Sequence, residues 1–235
     1  MKKKRILVLA TGGKTVELGG GSGFMEMAEF SRTNPPILDA DIAAVASNYS
    51  NGGVWQKADK LKVPFVYFPA PFTAERYRRL VKETEADFVM CSGWTNLVQG
   101  LDPRRTINIH PAPLPGFGGP GMYGHHVHDA VIKAMEEDKI NQSAVSMHFV
   151  VDRGPNKTAY DKGPVFFKMP VLIRQDDTAE TLAKRVNEKE RAWQSHILNL
   201  VVNGHIWLGG IAESWQVYAD KKFTGEIPGF TGRYI

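Results

Sequence analysis

Between Arg5 and Ser92, short apolar runs alternate with stretches of helical character, and that alternation leaves few folds open. Residues 5–10 form a continuous apolar run, the pattern of a strand buried on both faces. A glycine-rich segment then leads into residues 24–30, which read as helix. Residues 41–47 read as a second strand and 54–61 as a short helix. A third strand over 63–68 is stopped by Pro69 and Pro71. Thr73 caps a helix running to about Glu85, and 88–92 is a fourth apolar strand. This order predicts an α/β fold, a doubly wound and mostly parallel sheet with helices on both faces.

The next strand carries the chemistry. Thr106-Ile107-Asn108-Ile109-His110 alternates, so Asn108 and His110 share one face and the isoleucines take the other. Prolines at 111, 113 and 115 end the ladder there. An amide and an imidazole therefore stand where a strand gives way to a loop, the edge at which parallel sheets place ligands. On spacing alone, Asn-x-His is a weak pattern and reads better as two polar residues at a strand end.

Further along, 143–151 alternates as a strand through Val145, Met147 and Phe149. Residues 152–160 read as a surface excursion, a flap, before Asp161-Lys162-Gly163-Pro164 turns into a strand over 165–168. Residues 178–203 make one long helix with an acidic, capped start, ended by Gly204. The Trp, Tyr, Gly and Pro content from Ile206 on predicts an irregular, hairpin-like tail. The expected organisation is one domain over 1–204, with 205–235 packed on it.

The chain has 235 residues, a net charge of +4 and no dense basic face, which argues against a nucleic-acid binder. Cys91 stands alone, so no internal disulfide can form. Thr11-Gly12-Gly13-Lys14 interrupts the first apolar run too early for a signal peptide, and no stretch has membrane-spanning length. The expected setting is the cytoplasm, with no membrane partner. His125, His126 and His128 open a helix, but only His125 and His128 share a face and no carboxylate or cysteine completes a set, so no metal is expected.

Gly13-Lys14-Thr15 is not a nucleotide P-loop, because the pattern needs glycine where Val8 stands. Gly21-Ser22-Gly23 at a helix start offers backbone N–H groups suited to a phosphate, and reads equally as a flexible loop with a serine cap.

Asn108-Ile109-His110-Pro111, then Leu114-Pro115, then Asp161-x-Gly163-Pro164 resemble, in that order, the signature of the folate-dependent formyltransferases. The similarity runs from Arg5 to about Gly204. It implies a formyltransferase-like variant of the Rossmann fold. It further implies transfer of the formyl group of 10-formyltetrahydrofolate to an amine in purine biosynthesis, phosphoribosylglycinamide being the acceptor of the members it resembles most. Asn108, His110 and Asp161 would assist direct attack by the amine. Gly21, Ser22 and Gly23 would take the substrate phosphate, Gly23 standing where the family has Asn. Gly93 and Pro111 would line the substrate side and Glu190 would meet the ribose hydroxyls. Arg76, Thr95, Asn96, Leu97, Val98 and Asn108 would hold the folate, and the glycine-rich loop 116–124 would wall the substrate side. An anion at 161 would raise the His110 pKa. Taken without the resemblance, Asp161 is a turn former, Trp94 a core residue, and Glu190 an ion-pair partner of Lys189 or Arg191.

Other readings use the same residues. A different amine acceptor, such as an amino-sugar nucleotide, would need no change in the triad, but those relatives carry a further C-terminal domain for which the stretch after Gly204 is short. A formyl-folate hydrolase would bear an N-terminal domain ahead of the strand at Arg5. A non-catalytic folate- or nucleotide-binding module is the reading from another class. A homodimer is left open.

Overall fold

The computed structural model describes residues 2–152, 160–211 and 214–235. Most of the flap expected over 152–160 therefore lies outside the described residues. In chain order the elements are β1 (Lys4–Leu9), α1 (Ser22–Phe30), β2 (Ala40–Ser47), α2 (Gly53–Leu61), β3 (Phe65–Tyr67) and α3 (Ala74–Glu83). They continue with β4 (Phe88–Ser92), β5 (Thr106–His110), α4 (His125–Glu136), β6 (Gln142–Phe149), β7 (Val165–Leu172) and α5 (Ala179–Val202). Among the described residues, seven strands form one sheet in the order β3-β2-β1-β4-β5-β6-β7. The first five run parallel, and β6 and β7 are antiparallel to their neighbours.

The alternation of side chains along each strand decides where the helices go. Ile6 and Val8 of β1 face a core shared with α1, α2, α4 and α5, whereas Leu7 and Leu9 face Tyr77 and Leu80 of α3. Both faces are apolar, so both are covered, and the doubly wound arrangement follows.

Winding reverses between β1 and β4, because β1 pairs with β2 on one side and β4 on the other. The crevice beyond the carboxyl ends of β1, β4 and β5 is thus the place for a ligand. The segments that open there are the glycine-rich stretch after Leu9, the turn at Gly93 after Ser92, and Pro111 after His110.

Two strands depart from their expected lengths. The prolines at 64 and 69 crowd β3 into three residues. β7 runs on to Leu172 through Pro170, which a sheet-edge strand tolerates because its outer side needs no donor. The tail forms a second sheet from β8 (Ile206–Gly209), β9 (Gln216–Ala219) and β10 (Arg233–Tyr234), with a short helix α6 (Lys221–Thr224) between the last two. It is bonded to β7 through Lys168 N–H on the Gly229 carbonyl at 2.8 Å and Thr231 N–H on the Phe166 carbonyl at 3.0 Å.

Candidate active site

The register of β5 against β6 sets Asn108 opposite His148. Their side chains meet, with Asn108 Nδ2 3.0 Å from His148 Nε2. His148 Nδ1 lies 3.0 Å from the Phe149 carbonyl, which can only accept, so Nδ1 carries a proton, and Nε2 faces both the Asn108 amide and Asp161 Oδ1, 3.4 Å from the latter. The second amide hydrogen of Asn108 points to Asp161 Oδ1 at 3.3 Å. His148 therefore fixes which way the amide faces.

Asp161 arrives from 53 residues further along the chain than Asn108. Its backbone is left-handed, with φ 54°, a region that Asp and Asn tolerate better than most residues. Gly163 makes that turn feasible, since a Cβ there would lie 1.7 Å from the Phe149 carbonyl oxygen. Gly118 leaves room on the other side, where a Cβ would come within 2.9 Å of Asp161 Cβ. The neighbouring Gly119 N–H donates to Asp161 Oδ2 at 3.1 Å.

His110 donates from Nε2 to the Phe117 carbonyl at 2.7 Å. That leaves Nδ1 as the basic nitrogen of the neutral ring, 3.8 Å from Asp161 Oδ2. Both side chains are nearly closed to solvent, at 5% and 11% exposure. Burial holds the His110 pKa below its ordinary value, although Asp161 and the Phe117 carbonyl pull it up. The expectation of a raised imidazole is corrected here: the anion acts in the expected direction, and desolvation outweighs it. For Asp161, burial alone would raise the carboxyl. His148, the His110 ring and the Gly119 N–H outweigh burial and hold it below its ordinary value.

The other sequence-selected residues divide between the two sides of β5. Asn96, Leu97 and Val98 line one cavity with Asn108, His148 and Asp161. Thr95 lines an adjoining cavity with His110, Asp161 and the loop from Gly119 to Tyr123. Gly21, Ser22, Gly23, Gly93, Pro111 and Glu190 line a third, across the strand. The Leu97 carbonyl accepts from Tyr77 Oη at 3.0 Å, and Tyr77 in turn accepts from Trp94 Nε1 at 2.9 Å. Trp94 itself packs among Phe68, Phe72 and Tyr77 and lines none of these cavities. Arg76 is not brought to the site. Its guanidinium donates to the Pro69 and Pro71 carbonyls at 2.5 and 2.6 Å and lies over the Phe68 ring. Glu190 takes a hydrogen bond from Asn187 at 3.4 Å, and burial pushes its pKa up to about 7. Among the described residues it makes no ion pair with Lys189 or Arg191.

Sequence reasoning missed His148. The signal was present: in the alternation of Val145, Met147 and Phe149, His148 falls on the opposite, polar face. What the sequence lacked was the register that sets it against Asn108. It also missed Gln194 and Glu26, buried beneath the glycine loop.

Residues 5–198 match the formyl transferase family. Among curated proteins, the chain is similar to the chloroplastic phosphoribosylglycinamide formyltransferase of Arabidopsis thaliana, with 29% identity over 200 residues, covering 80% of this chain and 64% of that protein. The same-named protein of Vigna unguiculata is 30% identical over 200 residues, covering 80% and 60%. The chain thus spans less than two thirds of the length of these plant relatives. Bacillus subtilis phosphoribosylglycinamide formyltransferase is 24% identical, with 77% of this chain and 89% of that protein covered. Among solved structures, phosphoribosylglycinamide formyltransferase from Anaplasma phagocytophilum superposes with a TM-score of 0.73 at 22% identity, covering 100% of this chain and 98% of that one. A formyltetrahydrofolate deformylase from Pseudomonas syringae pv. tomato superposes with a TM-score of 0.67 at 19% identity, covering 87% and 63%. Structural likeness at these identities establishes the fold alone. From the sequence match over residues 5–198, the chain belongs to the formyl transferase family.

Proposed function

We propose that this chain moves the formyl group of 10-formyltetrahydrofolate onto the amine of phosphoribosylglycinamide, a step of purine biosynthesis. The observation that carries the reading is the meeting of Asp161 with Asn108 and His110 at the wall between cavities, at 3.3 and 3.8 Å. The names of the similar plant and bacterial proteins support the choice of acceptor. The folate occupies the side of Asn96, Leu97 and Val98. The acceptor lies across β5 with its phosphate on Gly21–Gly23 and its ribose toward Glu190. We place the reaction in the cytoplasm, where a lone buried thiol such as Cys91 stays reduced.

The amine attacks the formyl carbon and a negative charge builds on the formyl oxygen. A donor aimed at that oxygen typically contributes about 3–4 kcal/mol. Asn108 is that donor, giving up its longer hydrogen bond, the 3.3 Å contact to Asp161, and keeping the 3.0 Å contact to His148 as its anchor. His110 is neutral with Nδ1 free to accept, so it takes the proton leaving the amine and returns it to the departing folate nitrogen. As Nδ1 gains the proton, Asp161 is released by Asn108 and turns its charge to the imidazolium. The two events favour each other. No covalent intermediate is required.

The test is turnover of 10-formyltetrahydrofolate with phosphoribosylglycinamide. Tetrahydrofolate release should depend on the acceptor and fall by at least about a hundredfold in His110→Ala, the usual scale for a lost acid–base group. Release without acceptor would point instead to hydrolysis, and tight folate binding without turnover to a binding module.

A further inference from the structure

The glycine loop is held from behind by a buried amide that belongs to α5. Gln194 is fully buried, and every polar atom of its side chain is engaged. Nε2 donates to the Gly23 carbonyl at 2.9 Å and to Glu26 Oε2 at 2.8 Å. Oε1 accepts from Ser92 Oγ at 3.1 Å. Ser195, the next residue, donates to the same Glu26 oxygen at 2.9 Å. One side chain thus ties together the start of α1, the end of β4 and the middle of α5, three walls of the cavity lined by Gly21, Ser22 and Glu190.

Gln194 also occupies the space that a side chain at 23 would need. A Cβ on Gly23 would lie 2.3 Å from Ser92 Oγ and 2.7 Å from Gln194 Nε2. Here glycine is set by steric exclusion and not by an unusual backbone angle, since Gly23 is not among the positive-φ glycines. This gives a physical reason for Gly23 where Asn was expected. The room is already filled by Ser92 of β4 and Gln194 of α5, which are hydrogen-bonded to each other.

We propose that Gln194 is the positioning residue for the acceptor's phosphate group, and that Gly23 and Gln194 form a matched pair in which the α5 amide replaces a loop side chain. By fixing the Gly23 carbonyl, Gln194 orients the first-turn N–H groups of α1 toward the cavity. The inference rests on the proposed placement of the phosphate on this loop. Gln194 itself lines the cavity, and its hold on the phosphate site is exerted through the Gly23 carbonyl.

The experiment compares wild type with Gln194→Met, Gly23→Ala, Gln194→Ala and the Gly23→Ala/Gln194→Ala double variant. Each is titrated with inorganic phosphate by calorimetry and assayed for acceptor KM and kcat, with thermal unfolding to establish that it is folded. Gln194→Met keeps the volume and loses the hydrogen bonds, so it separates anchoring from packing. Phosphate Kd and acceptor KM should both rise about tenfold in Gln194→Met, with kcat within about threefold of wild type. Gly23→Ala should weaken phosphate as strongly, yet add little once Gln194→Ala has emptied the space. A folded Gln194→Met with unchanged phosphate Kd overturns the proposal, as does a wild-type protein that holds no phosphate. Weakened phosphate in a chain that never turns over the acceptor would support the positioning role and sink the proposed activity.

Discussion

Replacing Asp161 with Asn removes the charge and one of the two acceptor oxygens that take N–H groups from Asn108 and Gly119. Asn tolerates the left-handed backbone at φ 54° and has the same outline, whereas Ala would add backbone strain to the loss of charge. The quantity at stake is the attraction between the Asp161 carboxylate and a proton on His110 Nδ1, 3.8 Å away. At an effective dielectric of roughly 20 that attraction is about 4 kcal/mol, or about three pKa units. If the proton is about half transferred at the transition state, about 2 kcal/mol is lost, so kcat falls at least roughly thirtyfold, with a limit near a thousandfold for full transfer. The pH profile carries the sharper signature. In the proposed mechanism the reaction needs neutral His110, so the rate drops on the acid side of its pKa. Burial already holds that pKa below the ordinary value, and Asp161 opposes the shift. Without the anion the pKa falls further, and the acid limb of kcat/KM must move to lower pH even as the plateau drops. Steady-state kinetics from pH 5 to 9, with circular dichroism to establish folding, decide the matter. A variant whose acid limb stays put and whose kcat remains within about threefold would refute the idea that His110 holds the proton under the influence of Asp161.

Two further outcomes follow from the same geometry. His148→Ala removes the ring that orients Asn108 and leaves the buried amide without that partner, a cost of about 1–3 kcal/mol, so kcat should fall about ten- to a hundredfold. Acceptor KM should stay unchanged, because that cavity lies across the strand, and a loss confined to KM would be the contrary result. Glu26 is the second case. Burial raises its pKa from 4.5 to about 7, against the pull of Gln194, Ser195 and the Arg191 charge, with Glu29 adding to the rise. The folded state then holds the proton more tightly than the unfolded chain. Its contribution is full below about pH 4.5 and is lost as pH rises through about 7. Glu26→Gln should therefore gain stability over wild type as pH rises across that window, up to about 3 kcal/mol. Glu190 titrates with the same sign in both proteins, so the difference in unfolding free energy between them isolates Glu26. A difference that is flat with pH would show that Glu26 is already ionised in the folded state.

Much of the fold was legible in the chain because each element carries its own signal. The centres of β1, β2 and β4 are near-continuous apolar runs, as strands covered on both faces tend to be. α5 declares its start with Thr178 and its end with Gly204. The prolines after His110 mark where β5 stops. Legibility failed where a residue's partner comes from elsewhere in the chain. Asn108 looked like a lone polar residue at a strand end, but its partners His148 and Asp161 come from 40 and 53 residues away. Gly23 reads as a lapse in a motif, and the fold sets Ser92 and Gln194 in the space a side chain there would need.

The sequence by itself determined a wound parallel sheet and the strand end where Asn108 and His110 emerge, because periodicity and punctuation are local properties. Only the tertiary structure decided that His148 stands across from Asn108, that burial holds the His110 pKa low beside a carboxylate, and that the cavity at Asn96, Leu97 and Val98 lies across β5 from the one at Gly21, Ser22 and Gly23. Register is set by pairing between distant segments, and the protonation of a buried ring by everything packed around it. Neither quantity is carried by any short stretch of chain.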